Sequence, residues 1–285
     1  MARVRPGEAA NPAPPTVARI RVRFAKRGRL RFLSHRDVAR STERAVRRAG
    51  IPVSHSQGFS PHPRLSWIGA APTGAASEAE YLEIGLIRPV DPAELAGALD
   101  AALPEGLDVL AVAVAEGVPL AERIDASEWR IELPGVSADD LRRAVAALEA
   151  ADTVVVERVT PAGRRGVDVR GALVDARVVD GAAAAADPVA VGPCELPVHE
   201  EAGDGDPFVP RSSLPPGASV CAILTAVVRQ TTPAVRPDDV LGALDVVAGL
   251  KPPVPAKATR MAQGLLDDRG RLADPLGADR VTTRV

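Results

Sequence analysis

Three of the four histidines in this 285-residue chain, His35, His55 and His62, fall within 28 consecutive positions among a dense run of arginines. Imidazole titrates nearest neutral pH, so two rings flanking a phosphodiester can act as general acid and general base. His35 and His62 are the pair to which that chemistry would fall. His62 lies between Pro61 and Pro63, which restrict the backbone on both sides. His35 sits in the first turn of an expected helix, where the dipole favours the neutral ring. The alternative is that these rings are loop and cap residues, or simple phosphate contacts. A metal site would need His55, Glu78 or Glu80 as further ligands, and no HxH or HxxxH spacing supports one. Ser54, Ser56 and Ser60 lie near the histidines, but no carboxylate is placed to orient a triad. There is neither a Walker A motif nor a GxGxxG after a strand. No metal and no cofactor are therefore expected.

The arginines suggest a second chemistry, because a guanidinium presents a planar fork that matches phosphate. Arg36, Arg40, Arg44 and Arg47 or Arg48 follow each other at spacings of three and four, so a helix would set them along one ridge. Val38, Thr42, Ala45 and Ala49 make the opposing stripe. Like charges one turn apart repel, which makes the ridge hard to explain by stability alone. The blander explanation is a solvated face in a GC-rich genome, since Arg outnumbers Lys 32 to 3. That accounts for the choice of Arg but not for its clustering. Arg19, Arg21 and Arg23 alternate with Ile20, Val22 and Phe24, the pattern of a half-buried strand. On the open face of a sheet they would lie beside Glu83 and Tyr81, the latter available for stacking. With Arg64, these residues are the expected contacts to an anionic partner.

The elements that must position them can be read from periodicity and punctuation. After the strand at 17–24, Gly28 marks a turn and 30–33 continues extended. Ser34 reads as an N-cap, with Asp37 three residues on, for a helix that stops at Gly50. Extended pieces at 53–57 and 64–68 flank the Gly58–Pro63 loop. A strand at 81–87, a helix from Asp91-Pro92 to about 103 and a strand at 107–115 complete a β-α-β-β-α-β order. The second half repeats it more loosely, with a strand at 129–133, a helix at 138–150, strands at 153–159, 173–179 and 220–228, and a helix at 237–248. The expected fold class is α+β, two tandem ferredoxin-like (βαββαβ) domains, the second irregular with a long loop insertion. The expected boundaries are a disordered tail at 1–16, a first domain at 17–118 and a second at 125–250. A disordered loop at 181–217 and a C-terminal tail at 251–285 complete the division.

Composition sharpens the charge argument. The chain as a whole carries −2, which on its face argues against a nucleic-acid binder. Between Arg19 and Arg64, however, thirteen Lys or Arg stand against two acids, Asp37 and Glu43. Such asymmetry points to an anionic partner. Aromatics are 2% of residues, so the core must be aliphatic and any nucleic acid would be held mainly by its backbone. Two cysteines, Cys194 and Cys221, are too few and too far apart for a disulfide scaffold; Cys221, within an apolar strand, is most simply core, and without a CxxxCxxC the chain cannot itself hold a radical-SAM cluster. With no signal-like segment and no apolar run long enough to span a bilayer, cytoplasm is the default.

The runs Gly28-Arg29-Leu30-Arg31-Phe32-Leu33-Ser34-His35-Arg36-Asp37, Ser54-His55-Ser56-Gln57-Gly58-Phe59-Ser60-Pro61-His62-Pro63 and Glu80-Tyr81-Leu82-Glu83 resemble the bacterial radical SAM-linked domain of unknown function, in its stand-alone form. The likeness extends to Arg236–Leu241 and Ala258–Arg260 and omits the 181–217 loop. Ser60 departs from the Asn frequent in that family. The resemblance implies a radical SAM protein as partner but no reaction. It places His35 in the family's signature, together with the signature loop Gln57, Gly58, Phe59, Pro61, His62 and Pro63. The expectation is thus an accessory protein that binds structured RNA, tRNA or rRNA, through Arg19, Arg21, Arg23, Arg36, Arg40, Arg44, Arg47 and Arg64. The alternatives are a metal-independent endoribonuclease using His35 and His62, or a protein-docking module for the radical SAM partner. No membrane association and no DNA sequence motif are expected.

Overall fold

The computed structural model of the chain describes residues 14–57, 60–160, 163–180 and 221–279. It is an α+β protein that divides into two compact units, residues 1–126 with 260–285 and residues 127–259. The expected loop at 181–217 lies outside the described residues, as do residues 1–13 of the expected tail.

In the first unit, β1 (Ala18–Lys26) buries Ile20, Val22 and Phe24, the residues its alternation selects. The helix α1 (His35–Arg48) starts at Ser34, whose Oγ accepts the Asp37 N–H at 3.3 Å and donates to Asp37 Oδ2 at 2.6 Å. The chain leaves α1 through Gly50 at φ 64, a left-handed conformation that glycine adopts without strain. Then come β2 (Leu65–Ile68), β3 (Ala76–Leu86), α2 (Pro92–Ala102) capped by Asp91, and β4 (Val109–Val114). β1 lies antiparallel between β3 and β4, with Arg21 opposite Glu83 and Arg23 opposite Tyr81. β2 pairs with β3, and so does β10 (Lys257–Gly264).

One sheet face carries the core, in which Ile20, Val22, Leu82, Ile84 and Leu86 meet Val38 and Val46 of α1 and Leu95 and Leu99 of α2. Full burial of each such side chain stabilises by roughly 1.5–3 kcal/mol. The other face is covered as well. Tyr81 and Ala79 pack there with Ala113, Leu120, Ile124 and Leu276.

The second unit holds β5 (Ala126–Pro134), α3 (Ala138–Ala150), β6 (Val155–Thr160), β7 (Gly163–Asp168), α4 (Val169–Ala172), β8 (Leu173–Asp180), β9 (Cys221–Arg229) and α5 (Pro237–Ala248). β9 pairs with β8 on one side and β5 on the other, while β6 and β7 form a separate two-stranded sheet. That hairpin departs from the repeat of the first unit's order expected for the second. β7 escapes a reading by alternation because Gly163, Arg164, Arg165 and Gly166 are all exposed and only Val167 is buried.

Three other expectations are corrected. Residues 28–32 wind into a 3₁₀ turn, where an extended chain was expected from 30 to 33. The segment read as a C-terminal tail from 251 contains β10, a full strand. Cys221, expected in the core, is half-buried and disulfide-bonded. Among the described residues no helix is long and apolar enough to cross a membrane.

Candidate functional site

The helix arginines emerge where their spacing puts them. Val38, Thr42, Ala45 and Val46 turn inward, while Arg36, Arg40, Arg44, Arg47 and Arg48 are exposed. Val46 thus takes the place expected for Ala49, which is only half-buried. Arg40 approaches Asp37 at 4.0 Å, Arg44 reaches the Ser41 hydroxyl at 3.3 Å and Arg48 the Ala102 carbonyl at 3.2 Å. Among the described residues, no carboxylate pairs with Arg36, Arg44, Arg47 or Arg48. From Arg36 to Arg47 the ridge is about 16 Å long at 1.5 Å per residue.

The strand arginines do not form the open basic face expected of them. Arg21 is buried at 2% exposure and donates to Glu83 at 3.2 Å, to both Asp279 oxygens at 3.0 Å, and to the Glu116 and Val118 carbonyls at 3.2 and 2.7 Å. Arg123 joins it on Asp279 at 3.1 Å. An arginine so enclosed is out of reach of a phosphate in solution. Arg23 is half-buried and holds the Glu78 carbonyl at 2.8 Å. Only Arg19 remains outside, and it leans on Glu83 at 3.3 Å. Tyr81, expected as a stacking surface, is 2% exposed, and burial pushes its phenol well above the usual range. The cause is the apolar layer from residues 120–124 and Leu276, which no local pattern announces.

The signature loop is a narrow ladder. Ser56 N–H donates to the His62 carbonyl at 2.8 Å, His62 N–H to Ser56 Oγ at 3.0 Å, and Arg64 N–H to the Ser54 carbonyl at 2.8 Å. Gln57, Pro61, His62 and Arg64 are exposed, Pro63 and His55 half-buried, and Gly58 and Phe59 lie outside the described residues. Arg64 Nε also donates to the His55 carbonyl at 3.3 Å, which steadies the base of the ladder. His35 is exposed, and its ring meets Trp67 edge-on with centroids 5.4 Å apart; Trp67 in turn meets Phe24 at 5.9 Å. His35 therefore has a packing partner in the hydrophobic core. Among the described residues, no group of His, Cys, Asp or Glu could hold a metal.

A cluster of buried charge stands out that sequence reasoning missed. Lys26 is 2% exposed, and its ammonium donates to the Ala71 and Pro72 carbonyls at 3.3 Å each. Burial lowers its pKa, opposed by the neighbouring Glu80 and reinforced by Arg260. Glu80 accepts from Arg260 and, at 3.1 Å, from the Ala71 N–H, while Gln263 donates to the Ala79 carbonyl at 2.6 Å. Both polar groups of Ala71 are thus held by buried ions. One signal was available: Lys26 is one of three lysines in a chain that otherwise writes basic residues as arginine. A compact ammonium fits between two carbonyls where a guanidinium would not. Nearby, Arg27 pairs with Glu78 and, at 2.9 Å, with Asp108; the hydrogen bond to Glu78 raises its pKa.

No curated protein matches the chain. A family model described as "Uncharacterized protein conserved in bacteria (DUF2344)" matches residues 19–237, a stretch that takes in the α1 ridge, the ladder and the acids of β3. The chain belongs to this bacterial family, DUF2344.

Proposed function

We propose that the chain is an accessory protein that holds structured RNA, such as tRNA or rRNA, on the exposed face of α1 for a radical SAM enzyme. The observation that carries the RNA reading is the ridge itself: Arg36, Arg40, Arg44, Arg47 and Arg48 stand exposed, with a single long carboxylate approach from the described residues. Surface arginines left unpaired keep their donors for a phosphate backbone. The exposed Arg64 and His62 of the ladder belong to the same reading. The radical SAM partner rests on the resemblance of the Gly28–Asp37, Ser54–Pro63 and Glu80–Glu83 runs to the radical SAM-linked domain. The first unit fits a ferredoxin-like plan in its β-α-β-β-α-β order and in the β4-β1-β3 run with β2 beside β3.

Titrating tRNA against the protein at several salt concentrations tests the RNA reading. The expected result is tight binding at low salt, with a log–log slope of about −3 for four phosphate contacts. Replacing Arg36, Arg40 and Arg44 together by Ala should flatten that slope by about two units. Absence of binding at low salt, or binding indifferent to salt, would overturn it. RNA incubated with the protein in EDTA should stay intact, since His35 is engaged with Trp67; cleavage lost in both His35→Ala and His62→Ala would favour a nuclease instead.

A further inference from the structure

With Tyr81 buried, another aromatic is left on the basic surface. Phe32 ends the 3₁₀ turn Gly28–Phe32 and is 58% exposed, the one aromatic among the large exposed hydrophobic side chains of the described residues. In a chain with four Phe, two Trp and one Tyr, leaving one ring in water forgoes core material that is scarce. The exposure is built in rather than incidental. Leu30 and Leu33 on either side pack against the core cluster, Leu33 N–H donates to the Leu30 carbonyl at 2.9 Å, and Gly74 N–H holds the Arg31 carbonyl at 2.8 Å. These anchors turn Phe32 outward. The Arg31 guanidinium lies 4.7 Å from the ring centroid, and Arg29 is exposed on the same turn.

What could cover such a ring is limited by its charge setting. Arg29, Arg31, Arg36 and Arg40 fall within twelve residues of chain, against one acid, Asp37. Phe32 is four residues from Arg36, at most about 14 Å of chain. A flat apolar face bordered by cations matches an unstacked base whose phosphates are held nearby.

We propose that Phe32, with the Arg31 guanidinium over one face of its ring, is a stacking platform that takes an unpaired base on its other face, so that the RNA bound along α1 has a loop, bulge or single-stranded end beside its helical part. This rests on the RNA reading above and specifies its ligand. The test compares two RNAs of equal length, a hairpin with 2-aminopurine in its loop and a blunt duplex, with the wild-type protein and with Phe32→Ala, Phe32→Trp and the triple Arg36/Arg40/Arg44→Ala variant.

Wild type should prefer the hairpin by about 10-fold and change the 2-aminopurine fluorescence on binding. Phe32→Ala should lose both the preference and the fluorescence change while binding the duplex as before, and Phe32→Trp should restore them. The triple variant should weaken both RNAs by a similar factor. Equal wild-type affinity for the two RNAs, or a Phe32→Ala protein that keeps the preference, overturns the platform while leaving the RNA reading in place. Failure of wild type to bind either RNA overturns the RNA reading itself. Since Phe32 lies outside the core, a thermal melt of Phe32→Ala unchanged from wild type confirms that folding is not the cause.

Discussion

Arg21 and Arg40 belong to the same unit and to the same basic stretch of sequence, yet they end in opposite surroundings. The Arg21 side chain is 3% exposed and bonded to two carboxylates and two carbonyls, whereas that of Arg40 is 74% exposed with one acid 4.0 Å away. The difference lies in what the rest of the chain brings. Asp279, 258 residues downstream, and the 116–124 segment close over β1, while α1 turns its ridge away from the core. Arginine density along a sequence is therefore not surface charge. Distant acids and carbonyls that meet a guanidinium make it part of the fold, and only those left unmet remain for a ligand.

The sharpest way to break this comparison is at its buried end. Arg21→Ala leaves Asp279 buried with half of its ion pairs gone and should cost about 3–5 kcal/mol in chemical denaturation. A loss under about 1 kcal/mol would mean that the buried and exposed arginines are energetically alike. Lys26 sharpens the buried end further. Replacing it by Met leaves the Ala71 and Pro72 carbonyls without their donor and should cost about 1–3 kcal/mol at neutral pH.

The pH dependence of Lys26 has a definite sign. Its folded pKa is below the ordinary 10.5, so between the two values the unfolded chain binds the proton that the folded chain lacks. Stability should therefore rise with pH in that window for wild type, and urea titrations should show Lys26→Met without that rise. A rise of equal size in both proteins would deny Lys26 its part. At the edge of the exposed region, Ser34→Ala removes the cap of α1 and should cost about 1 kcal/mol, read by thermal melting. The smallest effect belongs to the ridge: Arg40→Ala with Arg44→Ala should change stability by no more than about 0.5 kcal/mol, since the residues do little for the fold. A substantially larger destabilisation would assign them to the structure rather than to a ligand.

Much of the first unit could be read from residues alone. The alternation of Ile20, Val22 and Phe24, the Ser34 cap, the Gly50 stop and the Arg/Val division of α1 are local signals, and each matches an observed element. β10 was invisible for the opposite reason. Its inward residues include Arg260 and Gln263, which are buried only because Glu80, Ser77 and the Ala79 carbonyl receive them. A polar residue buried against a remote partner leaves no trace in hydropathy. Phe32 was missed because a 3₁₀ turn carries no period long enough to separate from a short strand.

The sequence by itself determined the α+β class, the helix that carries the arginine ridge and the place where basic charge gathers, because propensity, capping and periodicity act within a few residues. Only the tertiary structure decided which arginines stay in water, that Tyr81 is core and Phe32 surface, and that Lys26 is buried against the Ala71 and Pro72 carbonyls. Those outcomes depend on groups brought from tens to hundreds of residues away, and burial is a property of the assembled contacts rather than of the residue.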